Sequence, residues 1–153
     1  MRILTDIDTV IFDLDGTLLD TLDDLTDSVN YALAEYELPA RDRMEIRRFL
    51  GNGAEVLMRS SIGGRLNDEQ SAACIDIFKS YYREHMDCKT RPYDGVMDLV
   101  RRLIDLQYKL AIVSNKFDAA VKGLNKDYFE GLFPVAIGES ENVMRKPAPD
   151  TSG

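Results

Sequence analysis

A chain of 153 residues suffices for one core with a small insertion, and 44% apolar with 30% charged residues is the balance of a soluble globular protein. The formal net charge of −8 argues against a nucleic-acid partner, which favours a basic face, and more weakly against an anionic membrane surface. No apolar run approaches the roughly 18 residues of a membrane-spanning helix, and Met1 to Asp8 lacks the apolar centre of a signal peptide.

Arg2 to Asp8 is a polar lead-in. Val10-Ile11-Phe12 is a short apolar run that stops at Asp13-Leu14-Asp15-Gly16-Thr17, which predicts a buried strand ending in a turn. Asp13 and Asp15 then sit at the strand's carboxyl end, where open α/β sheets bind ligands. In an extended chain they point the same way, with Leu14 opposite. Two carboxylates that close repel unless a cation lies between them or one takes a proton, and a hard divalent ion suits the pair. Gly16 allows the tight turn that follows. The plainer reading of this stretch is a strand and an ordinary Asp-Gly turn with solvated carboxylates.

Next, Thr21 and Asp24 have the spacing of a capping pair, and Leu22, Leu25, Val29, Ala32, Leu33 and Tyr36 recur at helical spacing up to Leu38-Pro39. Asp42 and Glu45 form a second capping box before a short helix with Ile46, Phe49 and Leu50 inward. Gly51-Asn52-Gly53 breaks it. A third helix is predicted from Ala54 to Ile62, stopped by Gly63-Gly64. Asn67 with Gln70 opens a fourth, which carries Cys74, Ile77, Phe78, Tyr81 and Tyr82. Residues 20–88 thus read as about four helices without a strand. His85 reads as structural and Tyr81-Tyr82 as packing. Cys74 and Cys88 lack metal-ligand spacing and read as free thiols of a reducing cytoplasm.

Arg91-Pro92-Tyr93-Asp94-Gly95 is a turn signal, followed by Val96, Leu99, Val100, Leu103 and Ile104 at helical spacing. Leu110-Ala111-Ile112-Val113 reads as a buried parallel strand that ends in Ser114-Asn115-Lys116. Phe117, Ala120, Val121 and Leu124 predict a helix, and Phe133 to Gly138 a third strand. A loop then leads to Arg145-Lys146-Pro147. The alternation predicts an α/β fold with a Rossmann-like, mostly parallel sheet and helices on both faces, plus an inserted all-helical segment. Ser114 has a second reading, as N-cap of the Phe117 helix, and the two roles are compatible.

Together these residues resemble the haloacid dehalogenase-like hydrolases and, within them, the phosphoglycolate phosphatase group. Asp13-Leu14-Asp15-Gly16-Thr17 looks like the first motif of that family, Ser114-Asn115-Lys116 like the second, and Lys146-Pro147 like the third. The inserted helices resemble its cap domain, and Gly51-Asn52-Gly53 a cap loop that overlies substrate. The resemblance implies a discontinuous hydrolase core of residues 1–19 and 89–153, with a cap of residues 20–88. It implies an Mg²⁺-dependent phosphatase acting on a small phosphorylated metabolite such as 2-phosphoglycolate. Asp13 would be the nucleophile that forms an aspartyl phosphate, and Asp15 the general acid and base. Ser114 and Lys146 would contact the phosphoryl group, with Gly16, Thr17, Asn115 and Lys116 as further substrate contacts. Mg²⁺ would take the Asp13 carboxylate and the Asp15 main-chain carbonyl.

The family's fourth motif, acidic residues after a fourth strand, is expected beyond Gly153. On that expectation the sheet is incomplete at its C-terminal side, and Val10-Ile11-Phe12 is an edge open to self-association. The alternative function is then a truncated, catalytically impaired module that binds phosphate or a protein partner.

Overall fold

A computed structural model of the chain describes residues 8–139. Five strands and six helices lie among the described residues. The strands are β1 (Thr9–Phe12), β2 (Leu19–Asp20), β3 (Arg91–Pro92), β4 (Lys109–Phe117) and β5 (Val135–Glu139). The helices are α1 (Leu22–Glu35), α2 (Arg43–Phe49), α3 (Ala54–Ile62), α4 (Asp68–His85), α5 (Val96–Asp105) and α6 (Asp118–Phe129). They fall into two compact units, Met1–Asp20 with Arg91–Gly153, and Thr21–Thr90.

The first unit is built on a parallel sheet of order β1-β4-β5. Leu110, Ala111, Ile112 and Val113 of β4 are all buried although successive side chains point to opposite faces. Both faces of this central strand are therefore covered, and α5 and α6 both pack on it. The expected α/β class with a parallel sheet and helices is confirmed. β1 departs from the fully buried strand that its apolar run predicts. Val10, Phe12 and Leu14 are buried, but Ile11 is 53% exposed, so the strand covers one face only. Val10 and Phe12 point to the covered face and Ile11 to the other, and among the described residues β1 has a ladder neighbour on one side, β4. β2 and β3 form a short antiparallel pair with Leu19 opposite Pro92. Two residues per strand give no periodicity, so the sequence does not signal this pair.

β4 ends in Ser114-Asn115-Lys116 and Phe117, as expected of the Ser-Asn-Lys stretch, but its ladder is irregular there. Its regular register stops at Val113, opposite Ile137, and resumes at Phe117, opposite Glu139. Ser114-Asn115-Lys116 is thus an irregular segment near the carboxyl end of the strand. β5 starts at Val135 because Pro134 offers no ladder N–H, and Phe133 instead joins the core edge-to-face with Phe12 and Phe129.

The second unit is all helical, α1 to α4. Two of its helix starts are the expected capping boxes. Asp42 accepts from the Glu45 N–H at 2.8 Å, and Asn67 from the Gln70 N–H at 2.8 Å, each with the reciprocal bond. The Thr21–Asp24 pair is not a capping box. Thr21 makes no side-chain cap bond, and Asp24 is buried at 2% exposure. Its carboxylate accepts from the N–H groups of Lys89 (2.9 Å) and Thr90 (2.8 Å) and from the Thr90 hydroxyl (2.8 Å). Tertiary donors thus take the oxygen that local spacing offers to the helix. Phe78 and Tyr82 stack in the interior, and Tyr31, Tyr81 and His85 form a more exposed ladder in which Tyr81 lies 4.0 Å from Tyr31 and 3.9 Å from His85. No helix among the described residues is long and apolar enough to cross a membrane.

Candidate active site

The site is assembled at the carboxyl ends of two neighbouring parallel strands. The register from Thr9 opposite Lys109 to Phe12 opposite Ile112 carries Asp13 and Asp15 out beside the end of β4. Leu14, fully buried, anchors the backbone between them. The Leu14 N–H donates to Asp13 Oδ1 at 2.9 Å, which fixes that carboxylate against its own strand end. The turn then closes tightly. The N–H groups of Leu18 and Leu19 donate to the Leu14 carbonyl at 3.0 and 3.1 Å, and that of Gly16 donates to the Leu19 carbonyl at 3.0 Å. Gly16 has φ of 75°, in the left-handed region where glycine carries no steric penalty. Gly16 and Thr17 are exposed on this turn while Leu18 and Leu19 are buried beneath it.

On β4, Ser114 and Lys116 share one side of the irregular segment and both are buried. Ser114 does not cap α6, whose N-cap is Phe117; its Oγ accepts from the Lys116 N–H at 3.1 Å. Lys116 Nζ meets Asp15 Oδ1 at 3.1 Å, with side-chain exposures of 5% and 21%. Buried ammonium groups are rare unless paired, so this contact is a chosen arrangement rather than a solvated face. Nearby, Asp118 accepts from the Gly138 N–H at 2.9 Å and pairs with Lys122 at 2.6 Å. Burial pushes the Asp118 carboxyl up, but the bonds from Lys122 and Gly138 outweigh it and hold the group below the ordinary aspartate range.

Among the expected site residues, the structure gathers Asp13, Asp15, Ser114, Asn115 and Lys116 at these strand ends, with Gly16 and Thr17 on the adjoining turn. Gly51, Asn52 and Gly53 belong to the helical unit, where they join α2 to α3; Gly51 and Asn52 are exposed, and Gly51 and Gly53 have φ of 107° and 93°. Lys146 lies outside the described residues. What the sequence does not reveal is the closeness of β5. A Cβ at Gly138 would collide with the Lys116 carbonyl oxygen and lie 2.7 Å from Asp118 Cα. A lone glycine in an apolar strand is the available signal for such an approach.

The family model for haloacid dehalogenase-like hydrolases matches residues 10–152. The chain belongs to the haloacid dehalogenase-like hydrolases. Among curated proteins of this hydrolase family it is 36% identical over 146 residues to a phosphoglycolate phosphatase of Mesorhizobium japonicum, covering 92% of this chain and 63% of that protein. A phosphoglycolate phosphatase of Mannheimia succiniciproducens is likewise 36% identical, with 90% and 65% covered. The fold is similar to the crystal structure of a predicted phosphoglycolate phosphatase from Haemophilus somnus, with a TM-score of 0.87, 29% identity, and 95% of this chain and 68% of that one covered. The chain thus spans less than two thirds of the length of these two curated relatives. Within the hydrolase family, the two aspartates at the end of β1 and the Ser-Asn-Lys segment of β4 are the polar groups that this chain places together.

Proposed function

We propose that the chain carries the chemistry of an Mg²⁺-dependent phosphatase that hydrolyses a small phosphorylated metabolite of the phosphoglycolate kind through an aspartyl phosphate at Asp13. The observation that supports this most is the meeting of Asp13, Asp15 and the buried Lys116 ammonium at adjacent strand ends in a chain of this hydrolase family. An Asp13 carboxylate oxygen attacks phosphorus, the bond from phosphorus to the ester oxygen breaks, and Asp15 gives its proton to the departing oxygen. Water then attacks the phosphoryl group, Asp15 takes a proton from it, and the bond between Asp13 and phosphorus breaks to release phosphate. Ser114, Asn115 and main-chain N–H groups offer donors for the phosphoryl oxygens, with Gly16 and Thr17 beside them. Lys146 is assigned the same role by its place in the family pattern.

The donor set fits Mg²⁺. Asp13 and the main-chain carbonyl of Asp15 supply hard oxygens, and this ion commonly takes one or two carboxylates and keeps waters. The Asp15 carboxylate is engaged by Lys116, which leaves its carbonyl as the better-suited donor. The ion, when bound, screens the repulsion between an anionic nucleophile and an anionic ester. In this proposal the helical unit serves as cap, with Gly51, Asn52 and Gly53 as its substrate loop. The compartment is the cytoplasm, in keeping with free thiols at Cys74 and Cys88. Among the described residues β1 has one ladder neighbour, β4, and its other edge would allow self-association. A second function, phosphate binding without turnover, draws on the same Ser114, Asn115 and main-chain donors, which can hold an anion without any bond being broken.

One assay separates the two. With Mg²⁺, the chain should hydrolyse 2-phosphoglycolate, and Asp13→Asn should lose all measurable turnover while keeping the parent's circular dichroism. Equal turnover by parent and variant would reject Asp13 as nucleophile, and phosphate binding without turnover by the parent would favour the second function.

A further inference from the structure

Lys116 is more than one substrate contact among several. Its side chain is 5% exposed, and removing an ammonium from water is costly unless a partner holds it. That partner is Asp15 Oδ1, at 3.1 Å. The backbone that aims it leaves the regular ladder and is held from two directions. The Lys116 N–H is fixed on Ser114 Oγ, the β4 register is irregular between Val113 and Phe117, and β5 lies so close that Gly138 has no room for a Cβ against the Lys116 carbonyl. A solvated lysine needs none of this support.

We infer that Lys116 is the positioning residue for Asp15. The inference rests on the function proposed above. By donating to Oδ1 the ammonium sets the rotamer of the whole carboxyl group, and so the direction in which that group exchanges a proton. It can donate to Oδ1 whether or not the other oxygen carries the proton, so the same contact serves both halves of the reaction. In the first half the ester bond breaks and the Asp15 proton goes to the leaving oxygen. In the second half a proton of the attacking water goes to Asp15. Lys116 exchanges no proton with substrate in either.

This role differs from charge compensation at the phosphoryl group by its dependence on the leaving group. An alkoxide needs a proton to depart; p-nitrophenolate does not. With Mg²⁺ present, Lys116→Met in the full chain should lower kcat/KM on 2-phosphoglycolate by about 100-fold, within the range of general acid catalysis, and on p-nitrophenyl phosphate by no more than about threefold. Lys116→Arg, which keeps a buried donor, should recover about tenfold of the loss on 2-phosphoglycolate. Equal losses on both esters, or no loss, would overturn the inference. A readout independent of turnover is the ammonium resonance of Lys116 in heteronuclear NMR, slowed in exchange by burial and removed from that position by Asp15→Asn. Should the parent hydrolyse neither ester, or Asp13→Asn match the parent, the proposed function fails, and this resonance then decides the pairing alone. Its loss in Asp15→Asn supports the pair, and its persistence overturns it.

Discussion

At the scale of single residues, two carboxylates from the same acidic stretch do opposite work. Asp13 stands exposed at a strand end with one oxygen fixed by the Leu14 N–H. Asp24, eleven positions on, is buried and ties the end of the helical unit back to its first helix through the N–H groups of Lys89 and Thr90. Composition and spacing do not separate them, because the difference is made by donors 65 and 66 residues away in sequence. Exchanging Asp24 for alanine removes both oxygens and takes the acceptor from the Lys89 and Thr90 N–H groups and the Thr90 hydroxyl. Leaving buried donors unpaired costs about 1–3 kcal/mol each, so Asp24→Ala should lose about 3 kcal/mol of unfolding free energy. Urea titration followed by circular dichroism measures it, and a loss below about 0.5 kcal/mol, the scale of ordinary surface changes, would show that the bonds are dispensable. The capping boxes at Asp42 and Asn67 were legible for the converse reason: donor and acceptor lie three residues apart, and the pattern contains the whole interaction.

At the scale of elements, the helices follow from periodicity, and the strands do so only where the ladder is regular. Val10-Ile11-Phe12 and Leu110 to Val113 are visible as apolar runs, but the break in register after Val113 is not, because it is set by the pairing with β5 and not by the residues of β4 alone. The burial of Lys116 is invisible for the same reason. A lysine belongs by type to the surface, and only the facing Asp15 and the approach of β5 bring it inside. The tight contact between β5 and the end of β4 can be tested directly. Gly138→Ala has to push β5 away from the Lys116 carbonyl and from the Asp118 backbone, neither of which is the yielding tip of a side chain. The expected cost is about 2–3 kcal/mol, in the range of overpacked cores, with the Lys116 ammonium resonance shifted as its backbone moves. Parent-like stability and an unshifted resonance would mean that the strands part without strain.

At the scale of the whole molecule, the sheet and the helical unit were both foreseeable from the order of elements, since strands alternating with helices on either side of a long all-helical run allow few arrangements. How much of β1 is covered was not readable from its own residues. Its apolar run suggests burial on both faces, whereas among the described residues only the face with Val10 and Phe12 is covered, Ile11 is half exposed, and β1 lies at the edge of the β1-β4-β5 sheet. An apolar edge strand is a template for pairing with another chain, and a charge there discourages it. The 153-residue chain should therefore show a concentration-dependent rise in mass by light scattering, which Ile11→Lys should reduce. A parent that remains monomeric at all concentrations would remove the edge from consideration as an interface.

The central claim is that Asp13 carries the phosphoryl group, and it is tested most directly by trapping the intermediate. The chain would be mixed with Mg²⁺ and 2-phosphoglycolate, quenched in acid, digested, and its peptides weighed. The account predicts the added mass of one phosphoryl group on the peptide that contains Asp13, its loss on treatment with hydroxylamine, and its absence from Asp13→Asn. Turnover of 2-phosphoglycolate by a chain whose label sits on another residue, or which persists in Asp13→Asn, would contradict it.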